Sequence, residues 1–342
     1  MEESGKIEFF FEDSGALDTE NYTTFFIIHG HTYHSGIFKR LLPPAQLRLA
    51  RVILVNRREY AGSTSYNAEE LKIFAEGSDQ EQLDLLLHEG LNLARLLAGL
   101  IQSLSLPKSG GVALVGWSLG CTFMLSMLAA VRSLPQRVRD RLAEFIKTVI
   151  LWDTAIKTMG MDSPVGAPVL KLYDENISPK DRADEFHKWV TSYFVHGNSE
   201  QHDISQLNYH IHNANKRRTF EDLPLEELLK LIDPTAGAKC DTIISMPTFD
   251  QPVQTVVNQA LFDHDIRSAW ANAKVWCIHG SESAWTVPLA SWVLEDKSKE
   301  VVIPLQNAQP AINFAVIQGA NHFYMWDDPE GSMDQLEFCI KN

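Results

Sequence analysis

Cysteine, positive charge and flexible linkers are all scarce in this chain. Only 4 cysteines occur in 342 residues, Cys121, Cys240, Cys277 and Cys339. They lie far apart, with neither the paired spacing of a metal site nor the density of a disulfide scaffold, and they read as buried thiols. Lys and Arg number 30 against 44 Asp and Glu, a formal net charge of -14. That balance repels nucleic acid and anionic membranes at long range, which argues against either as the main partner. The short basic run Lys216-Arg217-Arg218 reads as a solvated face. No Gly/Ser/Pro-rich tract divides the chain, so one main domain is expected. Met1 to Lys6 lack the basic start and apolar block of a secretory signal, and a cytoplasmic location is the expectation.

What the chain does have is one long uncharged stretch, between Lys108 and Arg132. Its length would span a bilayer. Gly110, Gly111, Gly116, Ser118 and Gly120 crowd its first half, however, and a strand, a sharp turn and a helix account for it better. The turn is Gly116-Trp117-Ser118-Leu119-Gly120. In a Gly-x-Ser-x-Gly turn the serine takes a strained backbone position that lifts its hydroxyl clear of the sheet. Gly116 and Gly120 let strand and helix pass close together, and the amide of Leu119 is left facing the place where an oxyanion would form.

Short β-rich runs precede this turn at Lys6 to Glu12, Tyr22 to Ile28 and Arg51 to Asn56. Ser78-Asp79-Gln80-Glu81 has the form of a capping box opening a long helix. After the turn come a charged helix from Pro135 to Phe145 and a strand from Thr148 to Trp152 that stops at Asp153. Strands recur at Lys274 to His279 and Ile312 to Ile317, with a helix between them near Pro288 to Glu295 and a last helix capped by Asp328. Strand alternating with helix implies a parallel sheet. From about Ala155 to Asp265 strand signals fade, and helical pieces with aromatic faces appear, the clearest from Pro179 to His196. Residues 156–265 therefore read as a helical lid inserted into a core of residues 1–155 and 266–342. An aromatic stripe is ordinarily packing. On a lid covering a nucleophile, Trp189, Tyr193, Met246 and Phe249 become candidates for substrate contact.

A serine hydroxyl needs a base to take its proton and a carboxylate to orient that base. His322, in Gly319-Ala320-Asn321-His322-Phe323 after the last strand, is the candidate base. The strand ending in His29-Gly30-His31 resembles the His-Gly loop of α/β-hydrolases, as Gly-Trp-Ser-Leu-Gly resembles their serine turn and Gly-Ala-Asn-His-Phe their histidine loop. Together these segments resemble an α/β-hydrolase with a helical lid, and Asn56-Arg57-Arg58 and Trp189-Val190-x-x-Tyr193-Phe194 look most like fungal members. The resemblance implies an α/β fold, a mostly parallel central sheet flanked by helices. It also implies a second oxyanion donor at the amide of His31, with Gly30 allowing the approach. In most of that superfamily the acid follows the penultimate strand in a Gly-x-x-Asp pattern, where this chain has Gly280-Ser281-Glu282-Ser283. Asp153 lies near where some subfamilies carry their acid, at a strand end on the same rim. Glu282 is the alternative.

The expectation is thus a serine hydrolase acting on a hydrophobic ester, lactone or thioester through an acyl-enzyme. Ser118, His322 and Asp153 would form its triad, Leu119 and His31 its oxyanion donors, and Trp117, His34, Trp189 and Tyr193 would touch substrate. Carbon-carbon bond hydrolysis, peroxide chemistry on the same triad, and a receptor-like binder with little turnover are the rival readings. No cofactor or metal is required. His29, His31 and His34 are close enough in sequence to suggest an ion site, but no carboxylate or cysteine accompanies them.

Overall fold

The computed structural model describes residues 7–172, 174–198, 201–270, 273–300 and 310–342. Seven strands form one sheet: β1 (Phe11–Asp13), β2 (Thr23–Ile28), β3 (Ala50–Val55), β4 (Val112–Trp117), β5 (Ile146–Trp152), β6 (Lys274–Gly280) and β7 (Asn313–Ile317). Their spatial order is β1-β3-β2-β4-β5-β6-β7. Only β1, at the edge, is antiparallel to its neighbour; every other pairing is parallel.

The strands are where branched and aromatic residues concentrate. β3 (Ala-Arg-Val-Ile-Leu-Val) and β4 (Val-Ala-Leu-Val-Gly-Trp) are buried along their whole length, as parallel strands covered on both faces must be. Two apolar clusters fill the two sides. One joins Phe26, Ile53 and Leu114 to the long helix Asp79–Ser103 and to the helices Gly120–Ala129 and Asp250–Phe262. The other joins Phe25, Val52 and Val115 to Phe38, Trp117 and the last helix, Pro329–Lys341. The Asp79–Ser103 helix opens on the expected capping box of Ser78 and Glu81, and Asp328 caps the last helix by accepting from the amide of Gly331. All four cysteines are free and buried. Among the described residues, no helix is long and apolar enough to cross a membrane.

Because β2, β4, β5, β6 and β7 run the same way, their C-terminal ends share one rim. Ile28 pairs with Gly116, Trp117 with Trp152, Trp152 with Ile278 and Gly280 with Ile317. His29 to His31, Ser118, Asp153, Ser283 and His322 all follow these ends, so topology alone gathers them. Between β5 and β6 the chain leaves the sheet, and no strand of the sheet occurs among the described residues there. The helix Pro179–Val190 stops six residues before the end expected at His196, and a turn follows at Thr191. Later in the same excursion, Asp250–Phe262 packs on the core, with Phe249, Val253, Val256 and Val257 fully buried there.

Candidate active site

Ser118 stands between β4 and the helix Gly120–Ala129 with φ 54°, in the left-handed region that non-glycine residues avoid. Its amide donates to Trp152 O (2.9 Å) and its carbonyl accepts from the amide of Cys121 (3.0 Å), which pins the turn from both sides. The turn is tight enough to require glycine. A Cβ on Gly116 would lie 2.7 Å from Cys121 Cα, and one on Gly30, in the neighbouring loop, 2.8 Å from Ser118 Cβ. Strain of this kind persists only where surrounding bonds over-determine it, which is typical of functional turns.

Asp153 also has a positive φ, 52°, and is fully buried. Three donors meet its carboxylate. His322 Nδ1 donates to Oδ2 at 2.8 Å, Ser283 Oγ donates to the same oxygen at 2.7 Å, and the amide of Gly280 donates to Oδ1 at 2.8 Å. A buried carboxylate is tolerable only when its lone pairs are satisfied in this way. With Nδ1 engaged, Nε2 is the nitrogen of His322 left to serve the cavity. Trp117 supports this histidine from beneath: its indole nitrogen donates to His322 O (2.9 Å), and the two rings lie 4.6 Å apart.

Ser118 and His322 line one cavity of about 60 Å3. Its walls include Trp189, Phe186, Leu170 and Leu172 from the excursion between β5 and β6, and Ala284 and Val287 after β6. Lys157 also reaches this wall, its ammonium held by Asp250 at 2.5 Å.

Not every candidate from the sequence lies here. Glu282 turns away: its carboxylate takes Lys216 Nζ (2.8 Å) and Asn213 Nδ2 (3.1 Å) instead of the imidazole. His34 caps a helical turn by accepting from the amide of Gly36 (3.2 Å) and borders a different groove. Tyr193 donates to Asp327 Oδ2 (2.6 Å), under the ammonium of Lys216, and Phe249 stacks on Phe74 in the core. Trp117 lies beneath His322 rather than on the cavity wall, and Met246 is likewise off it. Two residues that sequence reasoning did not select do belong to the site. Ser283 sits where the superfamily pattern suggested an acid, and Phe186 lies in the same aromatic stripe as Trp189.

The His-Gly loop is held by a buried cluster. Arg57 Nε donates to His29 O (3.0 Å) and Nη2 to Gly30 O (2.8 Å), and both Nη atoms grip Asp241, at 3.0 and 2.7 Å. Tyr60 hydrogen-bonds to the same carboxylate and receives the amide of Thr32 (2.8 Å). His31 itself donates from Nε2 to Thr242 Oγ1 (3.0 Å) and accepts Thr32 Oγ1 at Nδ1 (2.7 Å). Burial pushes its pKa down to about 4, so the ring is neutral. His29 is likewise kept neutral by burial, with Nε2 accepting from the amide of Arg57 (3.0 Å). The three imidazoles of this segment therefore have separate partners and do not converge on a common point. Elsewhere, Glu70, His88 and Glu89 lie close enough to share an ion, but Arg58 already binds both carboxylates.

A family model described as "Alpha/beta hydrolase family" matches residues 25–334. The chain belongs to the alpha/beta hydrolase family. No curated protein matches this hydrolase. Among solved structures it is similar to a bromoperoxidase from Bacillus anthracis, at 16% identity and TM-score 0.50, covering 98% of this chain and 96% of that one. It is also similar to a thermophilic esterase from Thermogutta terrifontis, at 19% identity and TM-score 0.46, covering 99% and 95%. At 16% identity the likeness to the bromoperoxidase speaks for the fold of this hydrolase alone.

Proposed function

We propose that this hydrolase cleaves a hydrophobic carboxylic ester, lactone or thioester through an acyl-enzyme on Ser118. The observation that carries the reading is the strained Ser118 sharing one cavity with a His322 whose Nδ1 is bound by the buried Asp153. Ser118 Oγ attacks the carbonyl carbon while His322 Nε2 takes its proton, and Asp153 stabilises the imidazolium. The negative charge that develops on the carbonyl oxygen meets the amides of Leu119, at the start of the Gly120–Ala129 helix, and of His31. Collapse breaks the bond to the leaving group, which receives the proton from His322. Water then repeats the sequence on the acyl-enzyme and releases the acid. No step calls for a metal or cofactor.

The excursion between β5 and β6 acts as the lid, and its covering part is the stretch before Asp250. Its apolar contribution to the cavity, Leu170, Leu172, Phe186 and Trp189, favours an uncharged acyl group. The test is labelling with a fluorophosphonate, followed by peptide mass analysis. The expected result is one adduct on Ser118, none in Ser118→Ala, and parallel loss of ester hydrolysis. An intact wild-type protein that neither labels nor hydrolyses any ester would overturn the proposal.

A further inference from the structure

The loop that carries His322 is held on two sides, and one of them belongs to the excursion between β5 and β6. On the core side, Trp117 Nε1 donates to His322 O (2.9 Å) and the amide of Glu282 donates to Ala320 O (2.8 Å). On the other side the excursion presents residues 191–194 and 213–219. These two stretches are bound to each other, the amide of Asn213 donating to Tyr193 O (2.7 Å) and that of Thr219 to Thr191 O (3.0 Å). They meet the histidine loop through the buried Asn321. Its Nδ2 donates to Thr191 O (3.1 Å) and to Thr219 Oγ1 (2.9 Å), while its Oδ1 accepts from the amide of Phe323 (2.9 Å). One side chain thus spans the backbone of His322 and fastens it to the excursion. Lys216 adds a second tie, donating from Nζ to Gly319 O (2.7 Å) and to Glu282 Oε1 (2.8 Å).

The partners of Asn321 fix the orientation of its amide. Thr191 O can only accept and the N–H of Phe323 can only donate, so a flipped amide would lose both bonds. Thr219 is committed as well. Its hydroxyl hydrogen goes to Asp327 Oδ2, which also takes Tyr193 Oη (2.6 Å), and this leaves an oxygen lone pair to face Asn321. A buried network of matched donors and acceptors rigidifies the groups it joins. Resting on the acyl-enzyme reading, we propose that Asn321 is a positioning residue for His322. The excursion, through Thr191 and Thr219, is then part of the mount of the base as well as a cover. Asp153 sets the imidazole at Nδ1, Asn321 sets the backbone beneath it, and both are needed to bring Nε2 to Ser118 Oγ. A misplacement of about 1 Å at a reacting group costs on the order of a hundredfold in rate. His322 takes a proton in acylation and again in deacylation, so both steps slow together when it is displaced. kcat then falls while KM stays.

Four variants of the full-length protein test this with p-nitrophenyl acetate. Asn321→Asp keeps the oxygen that accepts from Phe323 and turns Nδ2 into an oxygen facing Thr191 O. It is expected to lose about a hundredfold in kcat, with KM within about twofold of wild type. Thr219→Val removes one of the two acceptors and should lower kcat about tenfold, whereas Thr219→Ser, which retains the hydroxyl, should recover it to within about threefold of wild type. Leu207→Ala is the control for destabilisation. It takes buried apolar volume out of the same excursion and should lower the melting temperature while kcat stays unchanged. If Asn321→Asp fails to fold, the comparison of Thr219→Val with Thr219→Ser decides alone. The role of Asn321 is overturned if a folded Asn321→Asp or Thr219→Val loses less than about threefold in kcat. It is equally overturned if Thr219→Ser is as slow as Thr219→Val, or if Leu207→Ala is slowed as much as either. In all these cases wild type still labels at Ser118, and the acyl-enzyme reading stands. A wild-type protein that neither labels nor turns over any ester overturns that reading, and the role of Asn321 with it.

Discussion

Replacing Asp153 by Asn tests the proposed orientation of the base most directly. Asp153 sits at φ 52°, a conformation that asparagine tolerates, so the backbone should survive the change. What changes is the hydrogen bond to His322 Nδ1, now 2.8 Å. Asparagine can turn its NH2 toward the imidazole, which then places its own proton on Nε2 and can no longer accept one from Ser118. Loss of the correct tautomer in such a triad costs about ten-thousandfold in kcat, or about 5 kcal/mol. The readouts are kcat with p-nitrophenyl acetate and the rate of fluorophosphonate labelling. A second variant separates chemistry from folding. Ser283 Oγ is 2.7 Å from the oxygen that holds His322, so an aspartate at 283 would extend about 1.2 Å further into that volume once it is vacated. Asp153→Gly/Ser283→Asp, in which glycine accepts the positive φ, is expected to recover about a hundredfold over Asp153→Gly. If Asp153→Asn keeps more than a tenth of wild-type kcat, or Glu282→Gln is slowed as much, the assignment of the acid is wrong.

The remaining expectations concern the loop and its clasp. Asp241→Leu alone strands the buried Arg57 guanidinium and should cost about 3–5 kcal/mol in urea unfolding, while Arg57→Met/Asp241→Leu should recover much of it; equal stability of the single and double variants would refute the account. Gly30→Ala drives a methyl to within 2.8 Å of Ser118 Cβ, and should cut kcat at least a hundredfold while far-UV circular dichroism stays native. Unfolded His31 titrates near 6.5 and the folded residue near 4, so the unfolded state binds more protons between those values. Stability should therefore fall as pH drops from about 6.5 to 4, by at most about 3 kcal/mol from this residue. His31→Gln should flatten that limb in a series of thermal melts; an unchanged slope would show that His31 does not carry it.

The sheet was legible because its strands announce themselves: Val-Ala-Leu-Val and Val-Ile-Leu-Trp runs bounded by turn residues leave little choice of conformation. Parallel order then carries the residues after each strand to one rim, which is why Ser118, Asp153 and His322 could be expected close together without coordinates. The excursion between β5 and β6 was another matter. Periodicity says that Trp189, Tyr193 and Phe249 share apolar faces with their neighbours, not which structure those faces meet. Trp189 meets the cavity, Tyr193 an aspartate beyond it and Phe249 the main core. Ser283 illustrates a second limit. As a lone serine it carried no signal beyond marking an unfilled position, and its hydrogen bond to Asp153 spans 130 residues of chain.

The clasp between Arg57 and Asp241 bears on how molecules get in. Lifting the stretch around Asp241 away from the core would leave two opposite charges, both almost wholly buried, without partners. Entry is therefore expected by movement of the Pro179–Val190 helix instead. That helix is tied to the core mainly through apolar contact and the hydrogen bond of His187 to Tyr33 Oη (2.7 Å). The His-Gly loop, fastened through Arg57, would keep its shape with the entrance open or shut. An enzyme so built has no assembly step left for a surface to trigger. It should turn over dissolved monomeric esters from the first seconds, without a lag and without a rate jump when the substrate begins to form droplets.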